Sequence, residues 1–278
     1  MYTKYNKAFT HGGLFHADDV FSTALLLILN PEICIFRGFQ VPEDFDGIVY
    51  DIGFGKYDHH QADKRVRENG VPYAAFGLLW EEFGASLVGE EAAIRFDENF
   101  VQPLDLADNT GKEYLLSMLI SDRNTTWKES DIDNEKRFWE AVAFAKDILQ
   151  YRFSQINTEQ EAYEIVRSWT KNMKNQILYM ERALPWKHVA KELDCLFVIY
   201  PSNRGGYNVQ AVPQKEDKHT LKLPFPESWR GKTEQELSEI TGINGLTFCH
   251  ASGFLCAVET LEEAYEVANL AMKIGTAD

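Results

Sequence analysis

The sequence predicts an α/β protein of two domains: a parallel sheet with helices, extended by a helical middle segment, and then a smaller C-terminal α/β domain. Three observations carry this expectation. Strand-like and helix-like segments alternate over the first sixty residues, helical spacing dominates from Tyr73 to about Met180, and strand-like runs return after Leu184-Pro185. The domains are therefore placed at 1–184 and 185–278. A chain of 278 residues is long enough for each to bury a core.

The elements follow in order. Lys7–Thr10 reads as a short buried strand, and Asp18–Leu29 repeats apolar residues at helical spacing until Asn30-Pro31 stops it. Ile33–Phe36 and Gly47–Ile52 read as two further strands, separated by the polar turn Val41–Asp46. In the middle segment Ala74–Phe83, Glu90–Ala107, Glu113–Ile120, Glu135–Leu149 and Thr158–Arg182 read as helices, with no strand signal among them. Beyond Pro185 come strand-like Cys195–Tyr200 and Tyr207–Val212, a segment broken by Pro224 and Pro226, strand-like Leu246–Cys249 and Phe254–Val258, and a closing helix Leu261–Ile274.

The formal charge of −15 argues against a broad basic surface, and so against duplex DNA and tight non-specific binding to long nucleic acid. A short oligonucleotide or a nucleotide stays open as a partner, because bound divalent cations can oppose the global field locally. Cys34, Cys195, Cys249 and Cys256 lie in apolar runs without a CxxC pair and are expected to be buried thiols. The N-terminal stretch has no secretory apolar core, and the longest apolar run, Ala24–Leu29, is too short to span a membrane. A cytoplasmic protein without a membrane partner is expected; the sequence leaves a homo-oligomer open.

Chemistry concentrates near the N-terminus. Four of the seven histidines lie in the first sixty residues, each close to an aspartate: His11, His16, Asp18 and Asp19, then Asp51, Asp58, His59 and His60. Imidazole and carboxylate together suit Mn²⁺, Fe²⁺, Zn²⁺ or Co²⁺, and the lack of cysteine among them speaks against a structural zinc site. The expected strands place these residues at their C-terminal ends, where ligands bind in open α/β sheets. Taken alone, Asp18 is an ordinary helix N-cap and any one histidine an ordinary solvated side chain. Two histidine-bearing turns flanking a strand-end Asp51 are hard to explain in that way. Asp105 or Asp108, three apart, would complete the set; spacing does not choose between them.

Four motifs, THGGLFHADDV, YDIGFGKYDHHQ, LDLADN and TFCHASGF, stand in this order along the chain, joined by Asn124–Trp127, Tyr207–Val212 and Leu223–Gly231. In these residues, nearly end to end, the chain resembles the melanocyte-proliferating-gene-one family of metal-dependent hydrolases, related to the DHH phosphoesterases. The resemblance implies a DHH-like N-terminal domain holding two divalent metals, Mn²⁺ first, and a C-terminal domain that closes over substrate. DHH relatives cleave phosphodiesters or phosphoanhydrides, and similar members are associated with 3′-to-5′ exonuclease activity on RNA. Carried over by motif, His11, His16, Asp18, Asp51, His59 and Asp108 resemble the metal ligands, with Asp51 bridging. His60, beside Asp58, would lie nearer the scissile phosphate as acid or electrostatic clamp. Gly12 and Asp19 stand where relatives tend to carry Asn and Glu, and His16 where wider DHH enzymes carry Asp, so Zn²⁺ and Fe²⁺ stay open beside Mn²⁺.

In the second domain Arg204, Gln210, Arg230, His250 and Ser252 follow strand-like or turn-like segments and offer donors to an anion, a role the resemblance favours. The expected function is a two-metal phosphoesterase acting on short RNA or oligonucleotides, with paired cations about 3.5–4 Å apart activating water. A pyrophosphatase-like phosphoanhydride hydrolase and a non-catalytic metal-binding protein are the alternatives.

Overall fold

Lys7–His11 forms β1, the middle strand of a three-stranded parallel sheet between β2 (Cys34–Gly38) and β3 (Ile48–Val49). This description comes from a computed structural model and covers residues 5–129, 131–217 and 219–275; the first four residues of the stretch read for a secretory signal lie outside it. Phe9 stands opposite Phe36 on one side and Val49 on the other. Parallel neighbours need a crossover, and α1 (Ala17–Leu29) supplies it, burying Val20, Phe21, Ala24 and Leu25 completely. Asn30 ends the helix with its N–H on the Leu26 carbonyl, and Pro31 cannot continue it. At the sheet edge β2 leaves Cys34 exposed, which corrects the expectation of four buried thiols; Cys195, Cys249 and Cys256 are buried.

The middle segment is helical as expected: α2 (Ala75–Val88), α3 (Glu90–Phe96), α4 (Gln102–Thr110), α5 (Leu115–Ser121) and α6 (Asp131–Trp169). One helix over Glu90–Ala107 was expected, and two are found, joined by a π-helical turn at Asp97–Val101. Pro103 lacks the N–H a continuous helix would need, and the wider turn takes up the mismatch, with Gln102 N–H reaching back to the Asp97 carbonyl. Conversely, the two helices expected at 135–149 and 158–182 are largely one, because no Gly or Pro interrupts residues 150–157. Phe21, Phe76, Phe96, Phe100, Trp80 and Phe153 form a continuous aromatic core with α1, each burial contributing about 1.5–3 kcal/mol.

The chain divides into two compact units, residues 1–157 and 158–278, and the division falls inside α6. The second holds a five-stranded sheet in the order β4-β5-β6-β8-β7, built from β4 (Ile177–Tyr179), β5 (Phe197–Pro201), β6 (Tyr207–Ala211), β7 (Leu246–Cys249) and β8 (Leu255–Val258). Only the β4–β5 pair is parallel. The strand β4 replaces the end of the helix expected through Arg182. The chain leaves the helix after Trp169, turns with Asn175 and Gln176 at φ 49° and 60°, and buries Ile177 and Leu178 in two separate apolar clusters of the second unit. Helices α7 (Lys187–Ala190), α8 (Glu234–Thr241) and α9 (Leu261–Gly275) complete this unit. The outcome is the expected α/β architecture with a parallel sheet and a second sheet. Among the described residues no helix is long and apolar enough to cross a membrane.

Candidate metal centre

The loops after β1 and β3, together with helix α4, bring the motif residues together in the first unit. After β1, the loop 12–16 is held by Asn124, which accepts from Phe15 N–H at 3.0 Å and donates to the Phe15 carbonyl at 2.7 Å, and by Asn134, which donates to the Gly13 carbonyl at 2.7 Å. That fixes His11 and the entry to α1, where Asp19 accepts from His16 N–H at 2.8 Å. Asp18, one residue earlier, accepts from Ala75 and Phe76 N–H at 3.0 and 2.7 Å, so a carboxylate meets the positive N-terminus of α2. Asp51 follows β3 with φ 55°, a left-handed residue that turns the chain toward Asp58-His59-His60.

His59 is the hub. Its Nε2 lies 3.1 Å from Asp51 Oδ1, 3.3 Å from Asp108 Oδ2 and 3.8 Å from Asp18 Oδ2. Asn109 orients the ring from behind: its amide donates to the Tyr73 and Asp105 carbonyls, leaving Oδ1 toward His59 Nδ1 at 3.4 Å and Lys64 Nζ at 3.1 Å. Nδ1 thus donates to Asn109 while Nε2 donates to Asp51 Oδ1, so without a cation the ring is held with both nitrogens protonated among the carboxylates. His11 Nε2 lies 3.2 Å from Asp51 Oδ2 and 3.3 Å from Asp19 Oδ2. Among the described residues two groups have donor atoms close enough to share one cation, Asp51–His59–His60 and Asp18–His59–Asp108, and both contain His59. Asp51, His59, His60 and Asp108 line a cavity of about 800 Å³.

The charge balance of the cluster invites a cation. Burial lifts Asp18 well above the usual carboxylate range, and the neighbouring Asp51 and Asp108 add to this. Burial likewise raises Asp19 to about 7 against the pull of His11, and raises Asp108 against that of His59. Burial opposes the charged His11, yet the Asp51 hydrogen bond and the Asp19 and Asp51 charges outweigh it and lift its pKa to about 9. Asp51 goes the other way: its burial is overcome by hydrogen bonds from His11 and His59, and it falls to about 2. Asp19 Oδ2 is buried without a hydrogen-bond partner. Crowded buried carboxylates whose nearest counter-charges are imidazoles fit a site for hard or borderline divalent cations.

The other expected residues fall as follows. His60 is open, with 55% of its side chain exposed against 7% for His59, and its Nδ1 lies 2.7 Å from Asp58 Oδ1. Asp58 also accepts from His60 N–H and from Phe54 N–H, which fixes the turn. His16 lines the cavity but lies outside both donor groups, its ring 5.8 Å from that of His11. Asp105 pairs with Arg67 at 2.8 Å and accepts from Gly77 N–H at 3.1 Å, so of the two candidate acids only Asp108 reaches His59. Asn109 gains importance that spacing did not give it. Asn109 stood within LDLADN, one residue past the expected ligand, and that adjacency was the available signal.

In the second unit, Arg230 donates from Nε to the Phe225 carbonyl at 2.9 Å and packs against Gly253 of the His250–Gly253 turn. His250 Nδ1 accepts from Ser252 N–H at 3.1 Å, which leaves the proton on Nε2. Gln210 stands opposite Leu255, just past that turn, and accepts from Tyr200 OH. Arg204 sits in the β5–β6 turn, at the other end of β6, and is not brought to the group.

The profile of the uncharacterised protein family UPF0160 matches residues 7–272. A protein named MYG1 exonuclease from Rattus norvegicus is 30% identical over 96% of this chain and 85% of its own length. Its Homo sapiens counterpart is 29% identical over 93% and 84%, and the MYG1 protein of Schizosaccharomyces pombe 28% identical over 96% and 97%. No solved structure matches the chain.

Proposed function

The chain belongs to the uncharacterised protein family UPF0160, the family of the MYG1 proteins, and from that membership we propose that it is a metal-dependent phosphodiesterase of exonuclease type acting on short RNA or oligonucleotides. The observation that carries the reading is the pair of donor groups sharing His59 at the wall of an open cavity. Asp18, Asp51, His59 and Asp108 would hold divalent metal, Mn²⁺ first and Zn²⁺ or Fe²⁺ as substitutes, with His11 and His16 at its margin. Bound cations would neutralise the phosphoryl oxygens and activate a water for in-line attack. The protein's own part is to hold these donors dry and in register. His60, with Nδ1 on Asp58, presents Nε2 to pass a proton to the leaving oxygen. Lys64 and Lys112 line the same cavity and oppose the −15 net charge where a phosphate would enter.

Arg230, His250, Ser252 and Gln210 are proposed as an anion-binding group in the second domain, with Arg204 as a peripheral cation, and the functional division is drawn at Pro185. A reducing, cytoplasmic setting is part of the proposal, and in it the exposed Cys34 would stay a thiol. The test is hydrolysis of short single-stranded RNA, single-stranded DNA, duplex DNA and pyrophosphate with Mn²⁺, Zn²⁺ or Fe²⁺. Cleavage of single strands, abolished by chelation, is expected. Cleavage of pyrophosphate alone would make it a phosphoanhydride hydrolase, and no turnover with any metal would leave a metal-binding protein.

A further inference from the structure

Phe54 is placed where neither burial nor backbone preference explains it. The residue lines the cavity beside Asp58, His59 and His60, yet 71% of it is exposed, so its ring contributes little to the core. Its φ is 56°, in the left-handed region that costs a non-glycine residue about 1–2 kcal/mol. Glycines stand on both sides, and Gly53, at φ 86°, already provides one left-handed position. A third glycine at 54 would make the same turn without strain. The conformation is held by the Phe54 N–H, which donates to Asp58 Oδ2 at 2.6 Å. Asp58 in turn holds His60, so the backbone at Phe54 is tied to the candidate reacting centre through one carboxylate.

We propose that Phe54 is a stacking platform for a nucleobase, seating the terminal base of a single strand while the adjoining phosphate lies at the His–Asp cluster. The inference rests on the phosphodiesterase reading and deepens it by requiring a substrate with a base next to the scissile phosphate. An aromatic face is tolerant of base identity, since every base offers a π-face, so the site selects for the presence of a base over its sequence. Lys64 and Lys112, which line the same cavity, supply the cationic contacts that accompany stacking in single-strand grooves. A duplex end, whose bases are already stacked and paired, gains less from the ring.

The test is equilibrium binding of a fluorescent single-stranded tetraribonucleotide, and of the same chain with an abasic terminal residue, in Ca²⁺. Wild type, Phe54→Ala, Phe54→Gly and Phe54→Trp are compared, and Mn²⁺-dependent hydrolysis and thermal unfolding are followed in parallel. Wild type should prefer the base-bearing chain, and Phe54→Ala should lose on the order of 5- to 150-fold affinity for it with abasic binding unchanged. Phe54→Trp should keep the preference. Phe54→Gly should bind as weakly as Phe54→Ala while unfolding at a higher temperature, a combination that a structural role for the ring does not give. Equal binding of both chains by wild type and Phe54→Ala would overturn the proposal. Hydrolysis that persists with no dependence on Phe54 would leave the phosphodiesterase reading standing alone, whereas Phe54-dependent binding without hydrolysis in any metal would sink that reading and keep only the base-stacking role of Phe54, without a scissile phosphate.

Discussion

Replacing Arg67 with methionine should destabilise the protein severely, because the guanidinium is the main counter-charge of a carboxylate with no access to water. Arg67 binds Asp97 with two nitrogens at 2.9 and 2.7 Å and Asp105 at 2.8 Å, and Asp105 is fully buried. Asp97 keeps 21% of its side chain exposed and also accepts from Gln102, so the cost falls mainly on Asp105. Leaving one partner of a buried pair uncompensated costs about 3–5 kcal/mol, or roughly 6–20 °C in midpoint for a protein of this size. Burial raises Asp105 to about 7 against the pull of Arg67, from an ordinary value of 3.8. A raised folded pKa means that the fold prefers the acid protonated, so the penalty should be small near pH 5.5 and grow as the pH rises through 7. Thermal unfolding of wild type, Arg67→Met, Asp105→Asn and the double variant, at pH 5.5 and 8.5, measures it. Most of the Arg67→Met loss should return in the double variant. A shift below about 2 °C at pH 8.5, or a loss of equal size at both pH values, would refute the reasoning. Because Asp108 lies one turn beyond Asp105 on α4, metal affinity should fall with stability.

Three further outcomes follow from the same geometry. Gly77→Ala should prevent stable folding or cost several kcal/mol, since an added Cβ would overlap the Asp105 carboxylate and crowd Arg67; circular dichroism with thermal melting checks this. His60→Ala should retain the metal held by Asp18, His59 and Asp108 by elemental analysis while lowering turnover by roughly 10²–10⁴-fold, because the ring is open and anchored by Asp58. Saturating Mn²⁺ should raise the unfolding midpoint by relieving the buried carboxylates, worth about 2.7 kcal/mol at a hundredfold excess over Kd, and EDTA should reverse the gain; an unchanged midpoint would argue against the cluster as a metal site.

Much of the first unit was legible because its signals are local. Strand β1, helix α1 and the strand-end positions of His11 and Asp51 follow from short apolar runs, a proline stop and polar turns, and the clustering of His59 with Asp51 follows from strand ends that a parallel sheet must gather on one side. What sequence spacing could not decide is set by distant partners. Asp105 and Asp108 are equivalent until Arg67, far along the chain, claims the first. The role of Asn109 depends on the Tyr73 and Asp105 carbonyls turning its amide. The strand β4 was hidden in a helical pattern because its three residues are identified only by pairing with β5. The separation of Arg204 from Arg230 and His250 likewise depends on which end of β6 each meets, and strand order is not local.

The sharing of His59 between the two donor groups gives the most direct measurement. Equilibrium titration of Mn²⁺ into metal-free wild type and into His59→Ala, with folding of both confirmed, reports whether one imidazole serves both groups. The account predicts saturable binding by the wild type and loss of all of it in His59→Ala. Binding by the variant with the stoichiometry and affinity of the wild type would contradict the account.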